Sequence, residues 1–446
     1  MNNGKLLRWS VVAALAGFLF GFDTVVISGA NLPIKELWHT SPWFHGFFIM
    51  SMALWGTVIG AIFGGIPTEK YGRKKVLFWI GILYTLSAVG TAFAMDAYTF
   101  SLFRFLGGIG IGVSSVVVPT YISEISTSKI RGRLVAMYQF NIVFGILVAF
   151  ISNYLLKGFN GANDWRWMLG VSAIPSFLYT ILVLGLPESP RWLISKKNDR
   201  LAAARIMDEI GFEDSNAEID RIMASNAEAA RAIKSTQFFS SAHGKSIGLA
   251  FLIAFFNQLS GINFILYYAP EILEMAGLGS KDSLFNSIAI GGVNLAFTFV
   301  GLYFVDRAGR KRLMLIGSIG YIVSLAAVAA CFYYAVNPSI LLLFLLLFIA
   351  SHAIGQGTVI WVFIAEIFPN NVRALGQSFG ASVHWVFAAI ITLVAPAVID
   401  YFSTSKHYIF IFLAFMMVLQ LIWVLSKMPE TKGVALEDME KSMTHP

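Results

Sequence analysis

The sequence is poor in charge and almost without cysteine. Only 13% of its 446 residues are Asp, Glu, Lys or Arg, about half the usual share for a soluble domain. The single cysteine, Cys331, allows no disulfide within the chain, and its apolar setting makes it a packing residue. No cluster of Cys and His has metal-ligand spacing, and no nucleophile, base and orienting group stand together. Neither a metal, a cofactor nor an enzymatic activity is therefore expected. The glycine-dense GGIGIG at 107–112 follows no strand-like run. Inside an apolar stretch it reads as small-residue helix packing, not as a phosphate loop.

What is abundant is apolar sequence. The chain is 57% hydrophobic with a mean hydropathy of +0.71. Twelve apolar runs recur at roughly 9–30, 45–66, 76–95, 98–120, 133–157, 167–187, 246–268, 283–305, 312–334, 339–365, 374–400 and 407–427. Each is long enough to cross a hydrocarbon core of about 30 Å as a helix. Barrel strands would be near 10 residues with alternating polarity, so an all-α membrane protein is expected. The first run is too long for a cleavable signal peptide and carries Asp23.

The net charge of +7 follows topology. Lys70, Arg73, Lys74 and Lys75 fall between spans 2 and 3, Lys129, Arg131 and Arg133 between spans 4 and 5, and Arg307, Arg310, Lys311 and Arg312 between spans 8 and 9. Only Lys35, Lys157, Arg166, Lys281 and Lys406 fall on the other side, and Arg104 lies within a span, leaving about 26 of the 32 basic residues together. The positive-inside rule makes that side cytoplasmic and places both termini there. No nucleic-acid partner is implied.

The chain repeats itself. YGRKK at 71–75 recurs as AGRKR at 308–312, and Glu124 with Arg131 recurs as Glu366 with Arg373. PESPR at 187–191 is answered by PETKG at 429–433. Three landmarks repeat in order at nearly one offset. Two six-span halves, 1–187 and 246–446, are expected, joined by a cytoplasmic helical linker, 188–245, in which Ala and charges alternate at helical spacing. Repeats of this kind suit a carrier that rocks one half against the other around a site near the midplane; a channel would need a symmetric filter. Glu69, Arg73, Glu124, Arg131 and Glu188, with Asp306, Arg310, Glu366, Arg373 and Glu430, form a cytoplasmic charge network. Paired acids and arginines there would hold one state and release it on opening.

These stretches resemble the sugar porter family of the major facilitator superfamily over nearly the whole length, most closely its bacterial sugar–proton symporters. GFLFGFDTVVISGA, YGRKK, FRFLGGIGIG, IRGRL, WRWMLG, PESPRWL, NQLSGINFILYYAPEI, GGVNLAFT, WVFIAEIFP and PETKG stand in family order. The resemblance implies proton-coupled uptake of a monosaccharide or polyol across the inner membrane by a monomer lying in lipid. A facilitative uniporter, or a symporter of a non-sugar solute, is the alternative. A membrane-embedded Asp costs roughly 2.5–3.5 kcal/mol on insertion scales, so it needs a task or a partner. The resemblance gives Asp23 both: proton coupling opposite Arg104. Facilitative relatives carry an amide at that position.

For the substrate the resemblance implies Phe20, Asn257, Gln258, Asn263, Asn294, Trp361, His384 and Trp385. Amides offer a polyhydroxyl ligand both donor and acceptor. Tyr267, beside Tyr268, would gate the extracellular side. The chain departs from the glucose and xylose carriers at Ile146, where they have a glutamine, at Asn257, where a glutamine is shortened, and at His384, in place of an amide. The sugar or polyol class survives these changes, while glucose and xylose themselves are in doubt. His384 is expected, in this order, to contact substrate, to be a hydrogen-bonded core histidine, or to titrate; His352 reads as packing.

Overall fold

The computed structural model describes residues 3–127, 130–212, 214–232, 238–240, 243–369, 372–434 and 439. Regular structure among them is helical throughout. Eleven helices are long and apolar enough to cross a membrane, or twelve when the bent pair Pro42–Met50 and Met52–Phe63 counts as one span. The first five spans are Asn3–Leu37, that bent pair, Arg73–Phe93, Ala97–Glu124 and Arg131–Leu156. Span 6, Gly161–Leu184, has a break at residues 171–172. Span 7 is Gly244–Leu259 with Ile262–Met275, and span 10 is Pro338–Ile354 with Gln356–Glu366. Spans 8, 9, 11 and 12 are Ser280–Ala308, Arg310–Tyr333, Arg373–Tyr401 and His407–Ser426.

Helices form because hydrocarbon offers the backbone no hydrogen bonds, so each span must satisfy its own. Large apolar side chains are exposed, among them Phe93 at 74%, Ile174 at 70% and Trp79 at 61%. Between spans 2 and 4 the helices approach through glycine. A Cβ on Gly108 would stand 1.9 Å from the Ala53 carbonyl oxygen, and one on Gly112 2.3 Å from that of Thr57. Span 4 starts where Asp96 accepts from the amides of Tyr98 and Thr99, an N-cap. The Thr99 amide, with its hydroxyl, holds the Asp96 carboxyl below its ordinary range.

Two compact units group the chain by contact. One gathers Met1–Thr24, Ala53–Ile146 and Leu169–Thr236; the other gathers Val25–Met52, Leu147–Met168 and Gln237–Pro446. The halves expected from the repeat divide the chain differently: the ends of spans 1, 2, 5 and 6 remote from the basic loops group with residues of the second half. In the first unit, linker helices Arg200–Ile210 and Ser215–Ala232 close a small core of Ile194, Ala203, Met207, Ile219 and Ile222.

The basic loops reverse direction at two glycines. Gly72 has φ +94° and ψ 163°, and Gly309 φ +93° and ψ 160°, a region essentially reserved to glycine that costs an L side chain on the order of 1–3 kcal/mol. A Cβ on Gly72 would also lie 2.3 Å from Glu188 Oε2, and one on Gly309 2.5 Å from Glu430 Oε2. Gly65, helical and with open space around it, is the control. Gly72→Ala and Gly309→Ala are expected to lower the melting temperature of the detergent-purified protein by several degrees, against little change for Gly65→Ala. Equal melting of all three would show that these turns carry no strain.

Candidate functional site

Within the first unit, the centre of span 1 faces span 4 through an ion pair. Arg104 Nη1 donates to Asp23 Oδ1 at 2.8 Å, and Nη2 reaches the Asp23 carbonyl oxygen at 3.3 Å. Arg104 is 1% and Asp23 6% exposed. The pair is one-sided. Asp23 Oδ2 and Arg104 Nε are buried without a hydrogen-bond partner among the described residues. A Cβ on Gly107 would be 2.3 Å from Ser87 Oγ and 4.0 Å from Asp23 Oδ2, and Ser87 Oγ is likewise without a partner among the described residues. Buried polar atoms are normally bonded. Asp23 therefore has one carboxylate oxygen engaged and one open among the described residues. Ser87 has no sequence motif to announce it. Phe20, one turn before Asp23, is buried in the same unit.

Within the second unit the amides sit at a break in span 7. The helix Gly244–Leu259 stops at Ser260, and Gly261 at φ +87° turns the chain into Ile262–Met275. Ser260 Oγ donates to the Asn257 carbonyl oxygen at 2.6 Å, meeting one bond the broken helix leaves open. The stretch 257–263, within the run 246–268 expected as a single span, is therefore two helix ends. Asn263 Nδ2 donates to Gln258 Oε1 at 2.8 Å, and Gln258 Nε2 to Asn257 Oδ1 at 2.9 Å. The His384 ring lies 3.2 Å from the same Gln258 nitrogen. Its centroid is 5.1 Å from that of Trp361 and 4.8 Å from that of Trp385. Three of the expected amides, the histidine and two aromatic rings thus form one cluster.

Trp361, 37% exposed, sits past the break in span 10, where Gly355 (ψ −104°) interrupts the helix. Asn294 on span 8 is buried at 5%. His352 is bonded to the Tyr321 hydroxyl at 2.5 Å. Tyr267 and Tyr268 are both buried. Tyr268 departs from helical geometry (φ −115°, ψ 16°), and its hydroxyl donates to the Thr392 carbonyl oxygen at 2.8 Å.

The charges of the basic loops gather into two similar clusters, one per unit. In the first, Arg73 makes bonds of 2.9 Å to both Glu124 oxygens and one of 2.7 Å to Glu69. In the second, Arg310 reaches Glu366 at 2.7 and 3.1 Å and Asp306 at 3.0 Å. Glu188 and Glu430 do something the spacing alone does not tell. Glu188 accepts from the amides of Arg73 and Lys74, and Glu430 from those of Arg310 and Lys311. Each caps the start of a span, where the helix dipole favours a carboxylate. Arg373 Nε donates to the Phe368 carbonyl oxygen at 3.3 Å; the side chain of Arg131 lies outside the described residues.

With this geometry in place, comparison with known proteins gives a consistent family. The model of "Sugar (and other) transporter" proteins matches residues 9–443. The chain belongs to the sugar porter family of the major facilitator superfamily. That family is one of transporters, not enzymes, and the chain is a multi-pass membrane protein of its fold. It is 33% identical over 445 residues to the arabinose-proton symporter of Bacillus subtilis (strain 168), covering 98% of this chain and 95% of that one. It is 34% identical over 440 residues to the D-xylose transporter of Levilactobacillus brevis, covering 96% and 94%. Among solved structures, the inward open conformation of the xylose transporter XylE from E. coli superposes with a TM-score of 0.85 at 28% identity, covering 98% of this chain and 99% of that one. The proton:xylose symporter XylE bound to 6-bromo-6-deoxy-D-glucose gives 0.80 at 28%, covering 99% and 100%.

In this sugar porter the Asp23–Arg104 pair can be tested by itself. Removing one partner of a buried pair typically costs about 3–5 kcal/mol, because the other charge is stranded. Arg104→Ala is expected to lower the thermal stability of the purified protein sharply, and Asp23→Asn with Arg104→Ala to recover much of it. A double variant no more stable than Arg104→Ala would show that Asp23 is not the stranded charge.

Proposed function

We propose that the chain is a secondary active carrier that brings a monosaccharide or polyol into the cytoplasm together with a proton. Two six-helix halves, 1–187 and 246–446, rock against each other across the linker 188–245, so access alternates. The observation that carries this reading is the one-sided Asp23–Arg104 pair. As a carboxylate, Asp23 holds Arg104 by charge; protonated on its vacant oxygen, it loses that charge and loosens the pair. A proton bound there thereby changes the packing of span 1 on span 4. Relatives named as arabinose-proton and D-xylose-proton symporters support the coupling.

The sugar is recognised by Asn257, Gln258, Asn263, Asn294 and His384, which pair with hydroxyls, and by the rings of Phe20, Trp361 and Trp385, which lie against its C–H faces. Tyr267 and Tyr268 gate the outer side. Gln258 already has its amide engaged at both ends, so it is held in place for a ligand. Ile146 and His384 remove two amides that glucose and xylose carriers have, each worth about 1–3 kcal/mol if a hydroxyl is left unpaired; the preferred substrate is one that does not call on them. The carrier works as a monomer in the bacterial plasma membrane, surrounded by lipid, with both termini in the cytoplasm.

The direct test is uptake into proteoliposomes of labelled hexoses, pentoses and inositol, with and without an inward proton gradient. Wild type is expected to concentrate one of them on a gradient, while Asp23→Asn retains exchange but not concentration. Identical equilibration by both proteins would remove coupling and leave facilitated diffusion; movement of no sugar or polyol would reopen the substrate class.

The cytoplasmic clusters act as a gate in this cycle, held by Arg73 and Arg310 and completed by Arg131 and Arg373 when the halves close. Glu124→Ala and Arg373→Ala are each expected to increase labelling of inward-facing positions by a membrane-impermeant maleimide applied from the cytoplasmic side. Unchanged labelling in both variants would mean that these charges serve topology alone.

A further inference from the structure

Apart from the residues assigned above, the second unit buries a continuous chain of polar side chains. Thr40 Oγ1 is 2.8 Å from His45 Nδ1, His45 Nε2 is 2.8 Å from Asn31 Oδ1, and Asn31 Nδ2 is 2.7 Å from Glu271 Oε2. His45 is 0%, Asn31 1% and Glu271 9% exposed. The carboxylate fixes the direction of every bond. Glu271 can only accept, so Asn31 presents its NH2 to it and its carbonyl to His45. His45 must then carry its hydrogen on Nε2, which leaves Nδ1 to accept from the Thr40 hydroxyl. One tautomer and one amide orientation satisfy the whole chain, and its last bond is charge-assisted. Lys35 is the charged group facing His45, and Lys35 and Glu274 are those facing Glu271.

The elements so joined are the end of span 1, the start of span 2 and the second helix of span 7. Each is fixed again nearby. A Cβ on Gly46, next to His45, would be 1.9 Å from the Leu393 carbonyl oxygen, so the start of span 2 lies directly on the backbone of span 11. Tyr268, three residues before Glu271, is bonded to Thr392 of the same span. Asn31 and His45 belong by sequence to the first half, Glu271 and Leu393 to the second. All lie on the side away from the basic loops.

We infer that the Thr40–His45–Asn31–Glu271 chain is a latch that holds the outer ends of spans 1, 2 and 7 together and must open once in each transport cycle. The inference rests on the carrier reading above, since only a protein whose halves move needs contacts between them that break. Buried, the chain has no water to replace its bonds; once the outer side parts, water takes each place at little net cost. The latch is therefore strong when closed and cheap to leave open.

Hydrogen–deuterium exchange of the full chain in lipid nanodiscs tests this without substrate. His45→Ala and Asn31→Ala are expected to speed exchange in peptides spanning 25–52 and 262–275. The shift is about fivefold, that given by losing one net hydrogen bond of about 1 kcal/mol. Exchange in peptides at the inner ends of spans 4 and 10 should slow in return, because more molecules are then closed on that side. His45→Gln keeps a donor for Asn31 and should stay near wild type. Thr40→Val, at the half-buried end of the chain, should move exchange the same way by less, and it serves if the alanine variants do not fold. Wild-type exchange in these variants would overturn the latch, and so would faster outer exchange without slower inner exchange, which is local fraying. A protein that moves no sugar but shows the reciprocal response keeps the latch and loses only the sugar reading.

Discussion

Hydrocarbon gives a polypeptide nothing to hydrogen-bond to, and every feature of this chain answers that constraint. Unbroken helices satisfy themselves. Where a helix is broken, a side chain completes it: Ser260 bonds the Asn257 carbonyl at the break in span 7, and a caesura of this kind is tolerated only where polar groups or protein line it. The breaks and the polar cluster therefore coincide. The cluster of Asn257, Gln258, Asn263 and His384 stands where span 7 changes direction, and Trp361 just beyond the interruption in span 10. The cost of interrupting a span is offset by the polar groups that interruption gathers.

The two arginine clusters show the same economy at the membrane surface. Arg73 and Arg310 each turn a guanidinium fork to a glutamate from a different span, and each begins a helix whose first amides are closed by a distant carboxylate. Geometry that matches so closely in two parts of one chain follows from the matched spacing of the residues that build it. The repeated landmarks encode local structure as well as topology.

Much of this was legible from sequence because it rests on length, polarity and order. Run length and hydropathy located the ends of the spans to within about seven residues, and the pairing of Asp23 with Arg104 came from two ionisable residues in apolar stretches together with the resemblance. Less legible was whatever depends on backbone direction. Gly261 turns span 7 in a stretch that reads as continuous helix, since a lone glycine in an apolar run also suits close packing. Glu188 and Glu430 look like partners for arginine, and only the fold shows them receiving backbone amides. Ser87 and the chain from Thr40 to Glu271 carry no motif, because their partners lie far off in sequence and each residue is common in any span.

The carboxylates of Glu188 and Glu430 also set limits on how the chain can be divided. Glu188 is where the linker begins, and Glu430 lies within the last stretch of described residues, yet each finishes a helix that starts more than a hundred residues earlier, Glu430 bonding Arg310 across 120 positions. A fragment that ends before either glutamate leaves a span with open amides at its mouth. Cut points for split or fused versions of this carrier therefore belong after these residues, however dispensable the segments around them look.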